Sequence, residues 1–293
     1  MSKPSVTVLI PAYNASRFID ATLTSISAQS CTDFRAIISV DESIDDTYSR
    51  CIAHAERDRR FGVYRQKRRL GYVGNCNFLL AQTATDFAMF AFHDDILAPN
   101  CIARLSAALA AAPSATLAYC DIELTEYNKE MRQVAFTALE GAMDSVNRGL
   151  IMLREPPGWW VPNRGLFRMD AARQVQGVKR HSAGEFTSDL PWLIHLSLLG
   201  EFIRVPETLC FKFLQKESLS RSWPYSAEQW LAVYASCMRE IWRSNLGEDD
   251  KLALTEALLV HSRPRRGRYS WLPKPVRSAG KKMLPPILLR LLH

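Results

Sequence analysis

Two adjacent carboxylates, Asp94 and Asp95, follow an unbroken apolar run that begins at Phe87. Such a run is typical of a buried parallel strand, so the two acids would lie at its carboxyl end. In open α/β sheets ligands bind beyond the carboxyl ends of the strands, and carboxylate oxygens suit Mg²⁺ or Mn²⁺. We therefore expect Asp94 and Asp95 to hold a divalent metal, and the metal to hold a phosphorylated ligand. A solvated turn or a helix N-cap is the alternative for the same pair.

A second acidic strand end lies upstream of this pair. The stretch from Ser5 to Ile10 predicts a first strand, followed by the loop Pro11-Ala12-Tyr13-Asn14 and a helix capped by Ser16. The stretch from Arg35 to Val40 predicts a second strand that ends at Asp41. Because the crossover of such a βαβ unit is almost always right-handed, both strands present their carboxyl ends on one edge. We expect Asp41 and Asp94 to face a common crevice there.

A glycine-containing loop, from Leu70 to Asn77, precedes a predicted helix. Gly71 and Gly74 allow the backbone to approach a ligand, and a helix N-terminus favours phosphate. The loop matches neither the GxGxxG fingerprint nor the P-loop. It therefore supports neither a dinucleotide-binding dehydrogenase nor a P-loop NTPase.

The composition is that of a globular protein. The chain has 293 residues, 47% of them hydrophobic, with 37 basic and 30 acidic residues and a net charge of +7. Its seven cysteines contain no CxxC pair, which argues against a zinc site or a disulfide framework and for a reducing compartment. Neither a signal-peptide pattern nor an apolar run of membrane-spanning length is present, so we expect a cytoplasmic protein.

Four segments in this order, Pro11 to Asn14, the Asp41 turn, Gly71 to Asn77, and His93-Asp94-Asp95, resemble glycosyltransferase family 2. These are inverting nucleotide-sugar transferases of GT-A fold, and the likeness extends roughly from Ser5 to Ser220. The resemblance implies an α/β fold with a Rossmann-like, mostly parallel sheet flanked by helices. It also implies a catalytic domain over 1–220, with a nucleotide-sugar half (1–100) and an acceptor half (101–220). The remainder, 221–293, is expected to be a helical C-terminal extension.

The resemblance also implies where the donor binds. The positions matching the family's donor site are Pro11, Ala12, Tyr13, Asn14, Asp41, Glu42, Gly71, Asn77 and Asp94. Asp94 and Asp95 match the acids that hold ribose and the Mg²⁺ or Mn²⁺ on the diphosphate. Three departures are visible: Phe92 replaces the family's first acid, Cys76 replaces a common arginine, and the turn after Asp41 is one residue short. Either Asp41 or Glu42 is thus left to contact the base, and an unusual donor or weakened activity is implied.

An acid heads a predicted helix that runs to Gly200. In the resembled family an acid in this place is the catalytic base, and Asp189 matches it, with Glu185 as the second choice. The alternative is that Asp189 only caps the helix.

Three residues are predicted to border an acceptor. The adjacent Trp159 and Trp160 offer flat apolar faces to a sugar ring, although both rings would equally serve to pack their loop on the core. Asp121 is expected at the end of a further strand.

The reaction predicted is a single displacement. An acceptor hydroxyl, deprotonated by Asp189, attacks the anomeric carbon of a nucleotide-sugar, and the nucleoside diphosphate leaves with inversion. We expect a glycan or lipid-linked glycan acceptor, a role in cell-surface polysaccharide synthesis, and no nucleic-acid partner. A non-catalytic nucleotide- or carbohydrate-binding protein is the alternative.

The C-terminal tail is basic and leucine-rich. It contains Lys281, Lys282 and Arg290 beside Leu284 and Leu291. Such a segment fits peripheral contact with an anionic membrane or, alternatively, a helix docked on the catalytic domain.

Overall fold

Nine β-strands and nine α-helices are formed by the described residues of the computed structural model, which are 6–126, 130–214 and 223–262. The strands are β1 (Val6–Ala12), β2 (Phe34–Val40), β3 (Phe61–Arg65), β4 (Phe87–Phe90), β5 (Asp95–Leu97), β6 (Ala115–Thr125), β7 (Met131–Val134), β8 (Leu166–Arg168) and β9 (Glu201–Phe213). The helices are α1 (Ile19–Ser27), α2 (Thr47–Arg57), α3 (Gly71–Ala81), α4 (Cys101–Ala111), α5 (Ser145–Leu153), α6 (Met169–Val175), α7 (Asp189–Leu199), α8 (Ala227–Arg243) and α9 (Glu248–His261).

The strands pair in one mixed sheet of order β3-β2-β1-β4-β8-β6-β9-β5, with β7 joined to β6. Strands β1 to β4 are parallel to one another, and β6 is parallel to β9. Strands β8, β5 and β7 run antiparallel to their neighbours. The mostly parallel sheet predicted from the sequence is therefore confirmed. All seven residues of β1 are buried, as a strand covered by helices on both faces requires.

The first βαβ unit forms as predicted, and Ile19, Leu23 and Ile26 of α1 are buried against the sheet. The helix, however, is not capped by Ser16. Its N-cap residue is Phe18, and the Ser16 N–H donates to Oδ2 of Asp45 at 3.0 Å. Ser16 thus ties the start of α1 to the loop that follows β2.

The apolar run from Phe87 is two strands rather than one. Strand β4 pairs with β1 only as far as Phe90, and the N–H of Asp95 then donates to the carbonyl of Phe92 at 2.9 Å in a turn. Strand β5 begins at Asp95 and pairs with β9. Asp95 is therefore the first residue of the terminal strand of the sheet and is 1% exposed, instead of following the end of a strand as predicted.

The prediction that Asp121 ends a strand is also wrong. Strand β6 continues to Thr125 because β9 supplies pairing partners along its whole length, with register shifts on either side of Asp121. The next strand, β7, pairs with β6 and extends the same sheet.

Helix α7 lies at the centre of the helical layer formed by α5, α7 and α8. A hydrogen bond of 2.7 Å joins Nδ1 of His195 on α7 to Oε2 of Glu240 on α8, and both side chains are buried. Helix α8, the first of the expected C-terminal extension, thus packs on the helix that Asp189 heads, and α9 packs on α5 and α8. None of the helices described is long and apolar enough to cross a membrane. The basic tail with Lys281, Lys282 and Arg290 lies outside the described residues.

Candidate active site at the sheet edge

Asp41 holds the backbone of the neighbouring loop. Its Oδ1 accepts the N–H of Leu70 at 2.7 Å and that of Glu42 at 3.1 Å, and its Oδ2 accepts the N–H of Gly71 at 2.8 Å. The carboxylate is 3% exposed. Between the two candidates for contact with a base, Asp41 shapes the loop, whereas the side chain of Glu42 is exposed.

The N-terminus of α3 is satisfied by protein carboxylates. In addition to the two bonds to Asp41, the N–H of Val73 donates to Oε1 of Glu185 at 3.0 Å. Arg180 also donates to this oxygen at 3.0 Å. The carboxylates of Asp41 and Glu185 therefore already occupy the helix end at which the helix dipole was expected to favour a phosphate. Glu185, the second choice for the base, is thereby a capping residue.

Asn77 is paired with backbone rather than aimed at a ligand. Its Nδ2 donates to the carbonyl of Val178 at 2.8 Å, and its Oδ1 accepts the N–H of Val178 at 2.8 Å. Both polar atoms of the amide are thus engaged with backbone, and the donor contact of Asn77 stays a prediction. The residue before it, Cys76, is buried in the core.

The segment from Pro11 to Asn14, expected to be a loop after the first strand, belongs to that strand in its first half. Pro11 and Ala12 are the last residues of β1 and are buried, and the carbonyl of Pro11 faces Nδ1 of His93 at 3.4 Å. Tyr13 follows, with the guanidinium of Arg69 4.1 Å from its ring centroid. Arg69 was not predicted, although the basic run Lys67-Arg68-Arg69 directly before the glycine loop was a signal for it.

Asn14 adopts a left-handed backbone conformation (φ 45°) and is exposed. Its N–H donates to Oγ of Ser43 and its Oδ1 accepts the N–H of Ile44, both at 3.0 Å. Asn14 therefore joins the end of β1 to the turn after β2, which brings Tyr13 and Glu42 to the same edge.

Two basic residues accompany the paired acids Asp94 and Asp95. Nε of Arg164 donates to Oδ2 of Asp95 at 2.7 Å, with both side chains buried. Nζ of Lys212 lies 3.6 Å from Oδ2 of Asp94 and 3.7 Å from Oδ1 of Asp95. Burial alone would raise the pKa of Asp94, but Lys212, His93 and Arg164 lower it below its ordinary value. Two carboxylates and two cations thus form one electrically balanced cluster.

This cluster does not fit a resident divalent metal. One oxygen of Asp95 is committed to Arg164, and the other, which is buried and accepts no hydrogen bond, faces Lys212. Phe92 contributes no oxygen, and within residues 6–126, 130–214 and 223–262 no three His, Cys, Asp or Glu side chains converge as metal ligands. A divalent ion at Asp94 would also meet the repulsion of Arg164 and Lys212, because like charges at such range disfavour each other.

Arg164 also organises the apolar side chains around the cluster. Its guanidinium lies 4.8 Å from the ring centroid of Phe92 and 5.3 Å from that of Trp160. Trp159 and Trp160 are both partly buried against the core. One face of Trp160 is therefore covered by Arg164, while the sugar-binding role of the two tryptophans stays a prediction. Arg164 itself follows Pro162 in a 3₁₀ turn and was not predicted as a site residue.

Asp189 is the first residue of α7, as predicted. Burial raises the pKa of its carboxyl from 3.8 to about 6, although its own backbone N–H and the charge of Arg164 act in the opposite direction. A carboxyl with such a pKa is largely ionised at neutral pH and still readily accepts a proton, which suits a general base.

Tyr72 and Asn163 line the space next to Asp189. Nδ2 of Asn163 donates to the hydroxyl of Tyr72 at 3.2 Å, and the ring of Tyr72 lies 5.9 Å from that of Phe92. Burial, with Cys76 and the charge of Asp189, raises the pKa of Tyr72 well above its ordinary value. The phenol therefore stays neutral beside Asp189.

A group of aromatic rings also lies near Asp189. The buried ring of Phe186 lies 5.3 Å from Trp223, 5.3 Å from Tyr225 and 5.2 Å from Trp230. Tyr225 is 53% exposed, and burial together with the charge of Asp189 raises its pKa. This aromatic surface near the base was missed in the sequence, where Tyr225 carries no motif.

Asp121, by contrast, is paired with Arg204. Nε and Nη2 of Arg204 donate to its two oxygens at 2.8 and 2.7 Å, and Arg204 donates further to Glu140 at 2.6 Å. This bidentate pairing joins β6 to β9 and engages both oxygens predicted to border an acceptor.

Comparison with known proteins places these features among sugar transferases. The family model described as glycosyl transferase family 2 matches residues 7–160. An uncharacterized glycosyltransferase of Haemophilus influenzae is 29% identical over 102 residues, which are 35% of this chain and 32% of the relative. The chain thus matches about a third of the length of that curated relative.

Two solved structures show the same fold. S. aureus TarS 1–349 in complex with UDP-GlcNAc superposes with a TM-score of 0.70 at 17% identity, covering 94% of this chain and 78% of that one. The mannosyltransferase PcManGT from Pyrobaculum calidifontis, in complex with GDP-Man and Mn²⁺, superposes with a TM-score of 0.57 at 15% identity. That match covers 99% of this chain and 79% of the mannosyltransferase. Both likenesses confirm the predicted GT-A architecture.

Proposed function

The chain belongs to glycosyltransferase family 2, and on that premise we propose that it transfers a sugar from a nucleoside-diphosphate sugar to an acceptor hydroxyl with inversion. The observation that carries the proposal is the placement of Asp189. It heads α7 as a carboxyl with a pKa of about 6, and it lies within the electrostatic range of Arg164, which bonds Asp95 at the sheet edge. The candidate proton acceptor and the expected donor edge are therefore both under the influence of one guanidinium, that of Arg164.

Asp189 acts as the general base. A hydroxyl is a weak nucleophile near neutral pH, and a positioned base contributes roughly 10²- to 10⁴-fold to the rate. The acceptor oxygen bonds to the anomeric carbon, the bond from that carbon to the diphosphate breaks with its electron pair going to the leaving oxygen, and the acceptor proton passes to Asp189. No covalent intermediate is required, because one displacement accounts for inversion.

The donor occupies the edge formed by Tyr13, Asn14, Glu42 and Asp94. The nucleotide base of the donor lies against the exposed carboxylate of Glu42 and against the ring of Tyr13. The guanidinium of Arg69 covers this ring. The buried ends of β1, Pro11 and Ala12, and the loop at Gly71 form the floor, which Asp41 holds through backbone N–H groups.

The acceptor approaches from the side of Asp189 that carries aromatic rings. Trp159, Trp160 and Asp121 are the residues predicted from the sequence, and Tyr225 joins them because its exposed ring lies near the base. Sugars stack on such faces through their apolar C–H surfaces. A glycan or lipid-linked glycan of a cell-surface polysaccharide is the acceptor class that we propose, with the reaction in the cytoplasm.

The Mg²⁺ or Mn²⁺ predicted on Asp94 and Asp95 is not part of the mechanism that we propose. A relative of the same fold was solved with GDP-Man and Mn²⁺. We assign no step to a metal here, because the paired cations Arg164 and Lys212 already balance the two carboxylates.

The test is donor consumption. Purified protein is incubated with UDP-GlcNAc, GDP-Man and related nucleotide-sugars, and released nucleoside diphosphate is measured together with the melting temperature for each nucleotide. One donor is expected to raise the melting temperature by mass action and to be hydrolysed slowly without acceptor, with the hydrolysis lost in Asp189→Asn.

The matched control is Asp170→Asn, which removes an exposed acid from the first turn of α6. A folded protein that neither binds nor consumes any donor contradicts the proposal. Binding of a donor without any consumption favours the alternative of a non-catalytic nucleotide- or carbohydrate-binding protein.

A further inference from the structure

Lys212 is placed by strand register beside the two acids. Strands β5 and β9 are antiparallel, and Asp95 is the direct partner of Lys212. Directly opposed residues of an antiparallel pair project on the same face of the sheet. The ammonium therefore reaches the position between Asp94 and Asp95 from the backbone geometry of two paired strands, and its side chain is 15% exposed.

The hydrogen-bonding capacity of this ammonium remains available. Its distances of 3.6 and 3.7 Å to the carboxylate oxygens are those of an ion pair and exceed hydrogen-bond length. Among the described residues Lys212 makes no hydrogen bond, although it carries three N–H donors. A largely buried cation that is 15% exposed and whose N–H donors make no hydrogen bond is suited to an anionic oxygen ligand.

We propose that Lys212 binds the diphosphate of the donor and stabilises the leaving diphosphate, in the place where a divalent metal was expected. The inference rests on the proposed sugar transfer. As the bond between the anomeric carbon and the diphosphate oxygen breaks, that oxygen gains negative charge, and an N–H of Lys212 donates to it. Lysine is a compact point charge and a common phosphate ligand, so it performs this electrostatic part without metal coordination.

Asp94 and Asp95 are positioning residues in this arrangement. They fix the direction of the Lys212 ammonium, while Arg164 prevents Asp95 from being left uncompensated. The charges of the four side chains cancel before the donor binds, so the diphosphate is recognised by the donors of Lys212 and not by a large excess of positive charge.

The experiment measures the affinity of the full chain for nucleoside diphosphates and for the matching nucleosides, in EDTA and in Mn²⁺. Wild-type protein is expected to bind one diphosphate in EDTA as well as in Mn²⁺. Lys212→Met is expected to lower the diphosphate affinity about 10- to 100-fold, as the loss of a charge-assisted hydrogen bond does, and to leave nucleoside affinity unchanged.

The control variant is Arg104→Met, which removes one positive charge from an exposed pair with Glu207, also on β9. It is expected to leave both affinities unchanged. Lys212→Gln replaces Lys212→Met in the comparison if the methionine variant does not fold.

Two results overturn the inference and leave the proposed function intact: diphosphate binding by wild-type protein that is lost in EDTA, and unchanged diphosphate affinity in the Lys212 variants. Absence of nucleotide binding in both media, with the protein folded, overturns the donor site itself and the proposed function with it.

Discussion

Arg164 and Asp95 form a buried ion pair in which Nε and Oδ2 lie 2.7 Å apart, with side-chain exposures of 9% and 1%. The pair connects the donor edge with Asp189. Burial raises the pKa of Asp189, and the same guanidinium acts in the opposite direction. Although burial opposes the charge of Arg164, Asp95 and Asp94 hold its pKa above its ordinary value. The pair therefore sets the electrostatic surroundings of both the donor edge and the base.

Replacing Arg164 by methionine is expected to destabilise the protein by about 3 to 5 kcal/mol, because it leaves Asp95 buried and without its main partner. Urea-induced unfolding measures the loss. Adding Asp95→Asn is expected to recover part of it, since the uncompensated charge is then gone. Arg104→Met, in an exposed pair, is expected to cost less than about 1 kcal/mol. An Arg164→Met protein as stable as wild type would contradict a structural role for the pair.

Asp189→Asn is expected to remove the base and to raise stability at the same time. Donor turnover should fall roughly 10²- to 10⁴-fold. The folded-state pKa of about 6 lies above the ordinary 3.8, so ionisation of Asp189 lowers the free energy of unfolding as pH rises between these values. Above about pH 6 the neutral amide avoids this loss, and the variant should melt at a higher temperature than wild type. If Asp189→Asn melts at a lower temperature than wild type above about pH 6 and keeps full turnover, burial does not disfavour the charged carboxylate and Asp189 is not the general base.

The pH dependence of turnover follows from the same carboxyl. Asp189 must be ionised to accept the acceptor proton, so kcat/KM is expected to rise with pH and to reach half its maximum near about pH 6. The measurement is the rate of nucleoside diphosphate release from pH 4.5 to 8.5, a range that spans this value by more than a unit on each side. A profile with no acidic limb in this range would exclude a base with this pKa.

The substitution Asp41→Asn separates support of the loop from recognition of the nucleotide base. An asparagine presents an N–H₂ group to one of the backbone N–H donors of Leu70 and Gly71, so we expect a loss of about 1 to 3 kcal/mol in the free energy of unfolding. Glu42→Gln, at an exposed position, should leave stability unchanged and weaken nucleotide binding. The reverse pattern, with Asp41→Asn stable but defective in binding, would reassign the base contact to Asp41.

Gly71→Ala tests the start of α3. Gly71 has φ +75°, and a Cβ on it would collide with Oε1 of Glu185, which caps the same helix. We expect destabilisation of about 2 kcal/mol or more, from the left-handed backbone and the displaced carboxylate together. Gly62→Ala in β3 is the control, because its Cβ would meet nothing within 4 Å. Equal melting temperatures for the two variants would show that Glu185 moves aside without cost.

Local signals in the sequence determined the order of the elements and the place of Asp189 at the head of α7. Residues close together in the chain carry these signals, so they can be predicted without tertiary information. They are the patterns of apolar residues in β1, β2 and α1 and the acid at the head of α7. The four-segment resemblance added the fold and the family. The same signals did not show that Asp41 and Asn77 bond to backbone, because an acid after a strand and an amide in a loop have the same local pattern whether they contact a ligand or their own backbone.

Only the tertiary structure decided which charges meet. Arg164 bonds Asp95 across 69 residues, and Asn77 bonds Val178 across 101. Lys212 reaches Asp94 and Asp95 because the chain turns after β4, and β5 then pairs with β9. Strand register depends on the packing of the whole sheet, and a shift of one residue would turn Lys212 to the opposite face. The acidic pair was therefore visible in the sequence, while the cations that define its chemistry were not.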